Sequence, residues 1–250
     1  MGLAWRVRSS IIPCWVLDLT LLSLFVCAFS QAKGETTVTR SISASDLVEY
    51  ENLAEPVQRL IDIAVNLSSR KLTYTFGSNS PGSGGMDCSG TVQYSLQQLG
   101  LEKVPRSSYD MYHWVLASGE MTKTPGLSST DDPVLAKLQP GQLIFWQGTY
   151  KTKDRDPPVS HVMIYLGTLK ADGRGVTFGA SDGRRYRGTT CYGVSVFDWE
   201  MPRPDSSSKI IGYGPIPTLA IPSAVAIKVE SKPKDPLKAL LENLLKPGNN

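Results

Sequence analysis

Apolar positions along the chain follow three different patterns. Between Ile11 and Phe29 they are almost continuous, broken by Pro13 and Asp18. Between Pro56 and Leu67 they recur at Val57, Leu60, Ile61, Ala64 and Leu67, the 3.6-residue spacing of a helix with one buried face and a proline suited to its first turn. A second helix is predicted from Cys88 to Leu99, capped by Asp87 and stopped by Gly100. Beyond Gly100 the runs shorten. Residues 143–147, 161–167, 176–180, 193–197 and 210–214 are β-rich and separated by Gly, Pro and Asp, which predicts successive antiparallel strands. Helices first and a sheet afterwards make an α+β fold, with N-terminal helices packed on a small antiparallel sheet. No internal repeat and no second core is visible.

The first apolar run reads as an export leader. Arg6 and Arg8 precede it, and Ser30-Gln31-Ala32 follows with small residues where signal peptidase reads, placing cleavage after Ala32. With Pro13 and Asp18 inside, the run falls short of the ~20 clean apolar residues a membrane span needs, so no stable span is expected after cleavage. Val26 before Cys27 spoils a lipoprotein box. The expected organisation is a signal peptide over 1–32, a polar flexible lead over 33–53, a catalytic domain over 54–217 and a Pro- and Lys-rich mobile tail over 218–250. Charge adds an exclusion. The 26 Lys and Arg against 23 Asp and Glu leave +3, but residues 33–217 carry 19 of each, so this middle segment has no net basic surplus for nucleic acid.

Cleavage would leave two cysteines, Cys88 and Cys191. One disulfide is the ordinary expectation for an exported protein. The surroundings of Cys88, Met86-Asp87-Cys88-Ser89-Gly90, point instead to a free thiol at a helix N-terminus, where unpaired backbone donors and the helix dipole favour thiolate and could receive an oxyanion. A nucleophile needs a base, and the chain offers two histidines. His113 lies among aromatics on a predicted helix and reads as structural. His161 opens a strand whose alternation puts His161, Met163 and Tyr165 on one face, from which a ring could reach a helix start. Two histidines and two cysteines so placed lack the close spacing of a zinc site, so neither metal nor cofactor is implied.

Asp87-Cys88-Ser89-Gly90 and Ser160-His161-Val162-Met163-Ile164-Tyr165-Leu166-Gly167 strongly resemble the NlpC/P60 peptidases, papain-like cysteine hydrolases of bacterial cell walls whose hallmarks are DCSG and HVGIYLG. Three further strings fall in the family's order: Tyr74-Thr75-Phe76-Gly77, Pro105-Arg106-Ser107-Ser108 and Leu138-Gln139-Pro140-Gly141-Gln142-Leu143-Ile144-Phe145. The resemblance covers roughly residues 54–214. It implies a papain-like fold, location in the periplasm or envelope of a bacterium, and cleavage of a peptidoglycan stem peptide, most often between γ-D-glutamate and the diamino acid. Cys88 would be the nucleophile and His161 the base and acid. Tyr74, Asp87 and Ser89 match the positions that bind the free amino end of the stem.

Two positions depart from the family pattern. Gln142 stands where the family usually has Asp, at a predicted turn. Gly179, in Thr177-Phe178-Gly179-Ala180-Ser181, stands where the third catalytic histidine belongs. A glycine cannot orient an imidazole, so either a water, a backbone carbonyl or a nearby polar group such as Ser181 or Asp182 holds the His161 ring, or the enzyme is weak or inactive; a histidine in place of Gly179 would fit only if Arg184 or Tyr186 does not already fill that space. The alternatives are a weak or inactive peptidoglycan-binding module, and an N-acetylmuramoyl-L-alanine amidase using the same nucleophile.

Overall fold

The computed structural model describes residues 37–219. The expected leader at 1–32, and the expected tail from residue 220 on, lie outside the described residues. Helix α1 spans Glu55–Ser69, α2 Cys88–Gln98 and α3 Ser108–Ala117. Two short strands, β1 (Thr73–Tyr74) and β2 (Gly85–Met86), pair in parallel. The main sheet comprises β3 (Thr122–Lys123), β4 (Leu143–Gln147), β5 (Val159–Thr168), β6 (Gly175–Tyr186), β7 (Thr189–Asp198) and β8 (Lys209–Gly214). It has the order β3-β8-β4-β5-β6-β7 and every pairing in it is antiparallel. The α+β expectation, helices before sheet, is what the chain forms.

Period-two alternation assigns each face of the sheet its own core. Phe145, Val162, Ile164, Phe178, Ala180, Val194 and Val196 meet the helices at Val57, Leu60, Ile61, Val92, Leu96, Met111 and Val115. Ile144, Trp146, Met163, Tyr165, Phe197, Ile210 and Tyr213 form a second core on the other face, covered by Leu135, Leu138, Trp199 and Met201. Burial on both faces explains why β4 and the middle of β5 read as unbroken apolar runs.

The polar segment before α1 differs from the flexible lead expected for it. Its described part lies along the outer edge of β7: Tyr192 N–H donates to Val38 O at 2.8 Å, Val196 N–H to Arg40 O at 2.9 Å, and Arg40 N–H to Ser195 Oγ at 2.8 Å. Leu72 O closes the same edge by accepting from Val194 N–H at 2.9 Å. An open edge strand presents unpaired donors and acceptors, and a backbone segment satisfies them whatever its side chains are. Leu47 then anchors the segment, with no exposure and a bridge to Leu169. Leu47→Ala should therefore cost about 2–4 kcal/mol in urea unfolding; a cost below about 0.5 kcal/mol would mean that the segment does not pack.

Candidate active site

Residues 77–86, glycine-rich in sequence, form a fixed turn that delivers the start of α2. Tyr74 pairs with Met86 across β1 and β2, Asp87 N–H donates to Ser78 O at 3.0 Å, and Asn79 Nδ2 donates to Gln93 Oε1 of α2 at 2.8 Å. Cys88 is the first residue of α2 and Asp87 its N-cap. A Cβ on Gly90 would run into the Ser78 carbonyl oxygen and come within 2.9 Å of Asn79 Cα, so close packing of helix on turn requires glycine there.

The Asp87 carboxylate is held from several directions. It accepts from Gly90 N–H at 2.6 Å, from Gly77 N–H at 2.8 Å, and from the two terminal nitrogens of Arg106 at 3.0 and 2.7 Å. Ser89 Oγ donates to it at 3.3 Å and accepts from Arg106 at 3.0 Å. The expected amine-binding pair, Asp87 and Ser89, is thus already engaged by a guanidinium, and an incoming ammonium would have to share or displace it. Arg106 stood in the sequence only as part of a motif. Its role could have been suspected, because a buried carboxylate behind a nucleophile needs a cation.

Cys88 is 4% exposed and free; Cys191, on β7, is also free, fully buried in the second core, and donates to Thr189 O at 3.5 Å. Burial pushes the Cys88 thiol up to about 11, and the neighbouring Asp87 carboxylate adds to the rise. The amides of Val162 and Ser89 and the Arg106 charge pull in the opposite direction and lose. The thiolate expected from the helix start is therefore not the resting state. Water exclusion and the adjacent Asp87 carboxylate outweigh the dipole, whose effect is on the order of 1 kcal/mol.

His161 lies directly across from Trp146 in the β4–β5 register, with ring centroids 5.5 Å apart. It is held by packing: its buried Nε2 has no hydrogen-bond partner among the described residues. Ser181 and Asp182 line the same cavity, but neither bonds that nitrogen. Burial, and then the charge of Arg184, push the imidazole well below its ordinary range, so His161 is neutral at pH 7. His113 packs edge-on against Tyr109 and Tyr112 on α3, as a structural residue would.

The space beside Gly179 is filled by Met163, and not by Arg184 or Tyr186. A Cβ at 179 would lie 3.3 Å from both Cγ and Cε of Met163. Ile164 pairs with Phe178, so Met163 is the next residue on the neighbouring strand. The motif HVGIYLG has glycine where Met163 stands, and its partner strand carries histidine where Gly179 stands. Large and small have changed places across one strand pair. A lone histidine at 179 would be an overpacked residue.

The cleft has two lobes that share Tyr74, Phe76 and Tyr150. One, of about 270 Å³, contains Cys88, Asp87, Ser89, Arg106 and Arg155; the other, of about 350 Å³, contains His161, Thr149, Ser181, Asp182 and Arg184. Phe76 is 76% exposed and meets Tyr150 edge-on, with ring centroids 6.2 Å apart, at the boundary between them. Tyr74 is half-buried between the lobes, and burial keeps its phenol protonated. Gln142 sits in the turn before β4 and accepts from Gln139 N–H at 3.2 Å, consistent with a local role. Among the described residues no group of three or more His, Cys, Asp or Glu side chains could hold a metal ion, and no helix is long and apolar enough to cross a membrane.

Three helices, one with a buried cysteine at its N-terminus, packed on an antiparallel sheet that carries His161 make the α+β arrangement of a papain-like fold. Residues 71–187 match the NlpC/P60 family, and the chain carries an NlpC/P60 domain. It is 36% identical to the gamma-DL-glutamyl hydrolase of Bacillus subtilis (strain 168) over 95 residues, which are 38% of this chain and 18% of that protein. It is 28% identical to the murein DD-endopeptidase MepH of Escherichia coli (strain K12) over 116 residues, 46% of this chain and 36% of that protein. The match thus spans less than half of either relative.

Two outcomes follow from this geometry. The rate of Cys88 alkylation by iodoacetamide should climb with pH through 9 and 10 toward an inflection near 11; an inflection below pH 7 would show a resting thiolate. Gly179→His alone should cost about 1–3 kcal/mol from overpacking without raising activity. The Met163→Gly/Gly179→His pair should relieve that cost and exceed wild type in turnover. A single variant more active than the pair would show that Met163 yields freely.

Proposed function

We propose that the protein is an exported peptidoglycan hydrolase that cleaves stem peptides at the γ-D-glutamyl–diamino acid bond, with Cys88 as nucleophile and His161 as base. The observation that carries this reading is a water-excluded thiol at the start of α2 and a neutral, buried imidazole on β5 in adjoining lobes of one cleft, inside an NlpC/P60 domain. The names of the relatives, a glutamyl hydrolase and a murein endopeptidase, support the substrate class.

Both partners rest uncharged, so the thiol proton moves to His161 as the sulfur attacks the carbonyl carbon. The backbone N–H groups at the start of α2 stabilise the oxyanion. When the tetrahedral intermediate collapses, the C–N bond breaks and the imidazolium returns its proton to the leaving amine, leaving a thioester on Cys88. Water, deprotonated by His161, then releases the acid and the thiol. Without a hydrogen-bond acceptor on Nε2 the imidazolium is less stabilised than in a triad, which slows the reaction without abolishing it.

The lobe lined by Tyr74, Asp87 and Ser89 takes the amino-terminal side of the stem in this reading. Because Arg106 already balances Asp87, acetylating the stem's terminal amine should slow cleavage less than about tenfold, below the ten- to hundredfold of an unshared hydrogen bond to a charged group. Complete loss would mean that Arg106 leaves the carboxylate when substrate binds. The leader at 1–32 would deliver the protein to the periplasm or cell envelope.

The unpartnered His161 favours a second reading, a peptidoglycan-binding module that has kept its pocket and lost its chemistry. Digestion of defined stem peptides decides between them. Wild type should release product clearly above background, with Cys88→Ala and His161→Ala both at background. Wild type and Cys88→Ala indistinguishable while both bind the peptide would establish the binding module. Release of the intact stem from the sugar would identify an amidase instead.

A further inference from the structure

We propose that Arg184 is a specificity-determining residue of the cleft, a carboxylate clamp that takes a free carboxylate on the acyl side of the scissile bond. This rests on the stem-peptide reading above and deepens it.

The position of Arg184 is built into the sheet. It lies on β6 beyond the register shift between Asp182 and Arg184, and pairs there with Cys191 of β7. Its guanidinium carbon stands 4.5 Å from the ring centroid of Trp146, the residue that pairs with His161 and packs against its ring. One indole therefore supports both the base and the cation. Stacking on an aromatic face fixes the plane of a guanidinium while leaving its N–H groups free to point outward. Those groups have no ion-pair partner among the described residues. The seven ion pairs there engage Arg59, Arg106, Lys170, Arg174, Arg187 and Arg203, and not Arg184. Asp182, Asp198 and Glu200 line a cavity with it, and none of them forms a salt bridge with it; Asp198 pairs with Arg174 instead.

A half-buried, aromatic-stacked and unpaired guanidinium is an expensive arrangement unless an anion arrives. Burial pulls its pKa down to about 10, which still leaves it charged at neutral pH. The lobe of about 350 Å³ that receives the anion also holds His161, and we place there a carboxylate of the substrate's acyl portion. A planar carboxylate matches the guanidinium fork in two parallel hydrogen bonds. A γ-linked glutamyl residue supplies one, because its α-carboxylate stays free three carbons from the scissile carbonyl. Pairing would also cancel the charge that depresses His161, so the correct substrate makes the base stronger at the moment it is needed.

The test compares L-alanyl-γ-D-glutamyl-L-lysine with its D-isoglutaminyl counterpart, in which the α-carboxylate is an amide. Wild type should prefer the acid in kcat/KM by about ten- to a hundredfold, the range of a hydrogen bond to a charged group. In Arg184→Gln the ratio should fall to within about twofold of one, while Arg184→Lys, which keeps charge and loses the fork, falls between them. Arg185→Gln, the next residue on the strand, should leave the ratio unchanged. An Arg184→Gln ratio equal to that of wild type overturns the proposal. Calorimetric binding of L-alanyl-γ-D-glutamate and its α-amide to Cys88→Ala separates this from the hydrolase reading. Acid-selective binding that disappears in Cys88→Ala/Arg184→Gln supports the clamp even if wild type cleaves nothing. Equal binding of acid and amide refutes it even if wild type is active.

Discussion

The carboxylate of Asp87 joins three segments that are distant in sequence: the turn at Gly77, the first turn of α2 at Gly90, and Arg106 between α2 and α3. The place of Cys88 depends on this junction, because an N-cap residue fixes where a helix begins and Cys88 is the next residue. With 6% of its surface exposed, Asp87 cannot rely on water, and its lone pairs are spent on two backbone donors and a two-point guanidinium contact. Removing Arg106 would leave that charge partly unpaired, at a cost of about 2–3 kcal/mol once the 36% exposure of the arginine side chain is allowed for. The same junction shapes the chemistry. It raises the Cys88 thiol by placing a negative charge behind it, and partly compensates by adding a positive one in the next layer.

On the other side of the cleft the control is steric. The Met163–Gly179 exchange removes the position from which a third side chain could reach His161, and aromatic packing on Trp146 holds the ring instead. Packing fixes orientation but offers no acceptor for a ring proton, so the imidazole is placed without being made more basic. Cys88 and His161 rest uncharged in adjoining lobes, and in the proposed reaction they change charge only as the sulfur attacks. Charged groups supplied by the substrate therefore weigh more heavily here than in a site whose ion pair is already formed.

Much of this was legible in the sequence, and the exceptions share a physical cause. The helix over Glu55–Ser69, the start of α2 at Cys88 and five strands of the main sheet follow from local periodicity and capping, which are written in adjacent residues. The family strings placed Cys88 and His161. Arg106 reaching back 19 positions to Asp87, Met163 filling the space over Gly179, and Arg184 lying on Trp146 all depend on register or on long-range closure, which periodicity does not encode. The segment before α1 looked flexible because its side chains are polar, while its attachment to β7 runs through backbone groups that any sequence possesses.

The central claim is that Cys88 and His161 rest as a neutral thiol and a neutral imidazole. Nitrogen-15 NMR of the imidazole rings tests it directly, since the chain has two histidines and His161→Ala assigns them. His161 should remain neutral as the pH falls through 6.5, protonate well below that value, and titrate alike in wild type and Cys88→Ala. An imidazolium at His161 that persists above pH 7 in wild type and vanishes in Cys88→Ala would reveal a preformed ion pair and contradict the account.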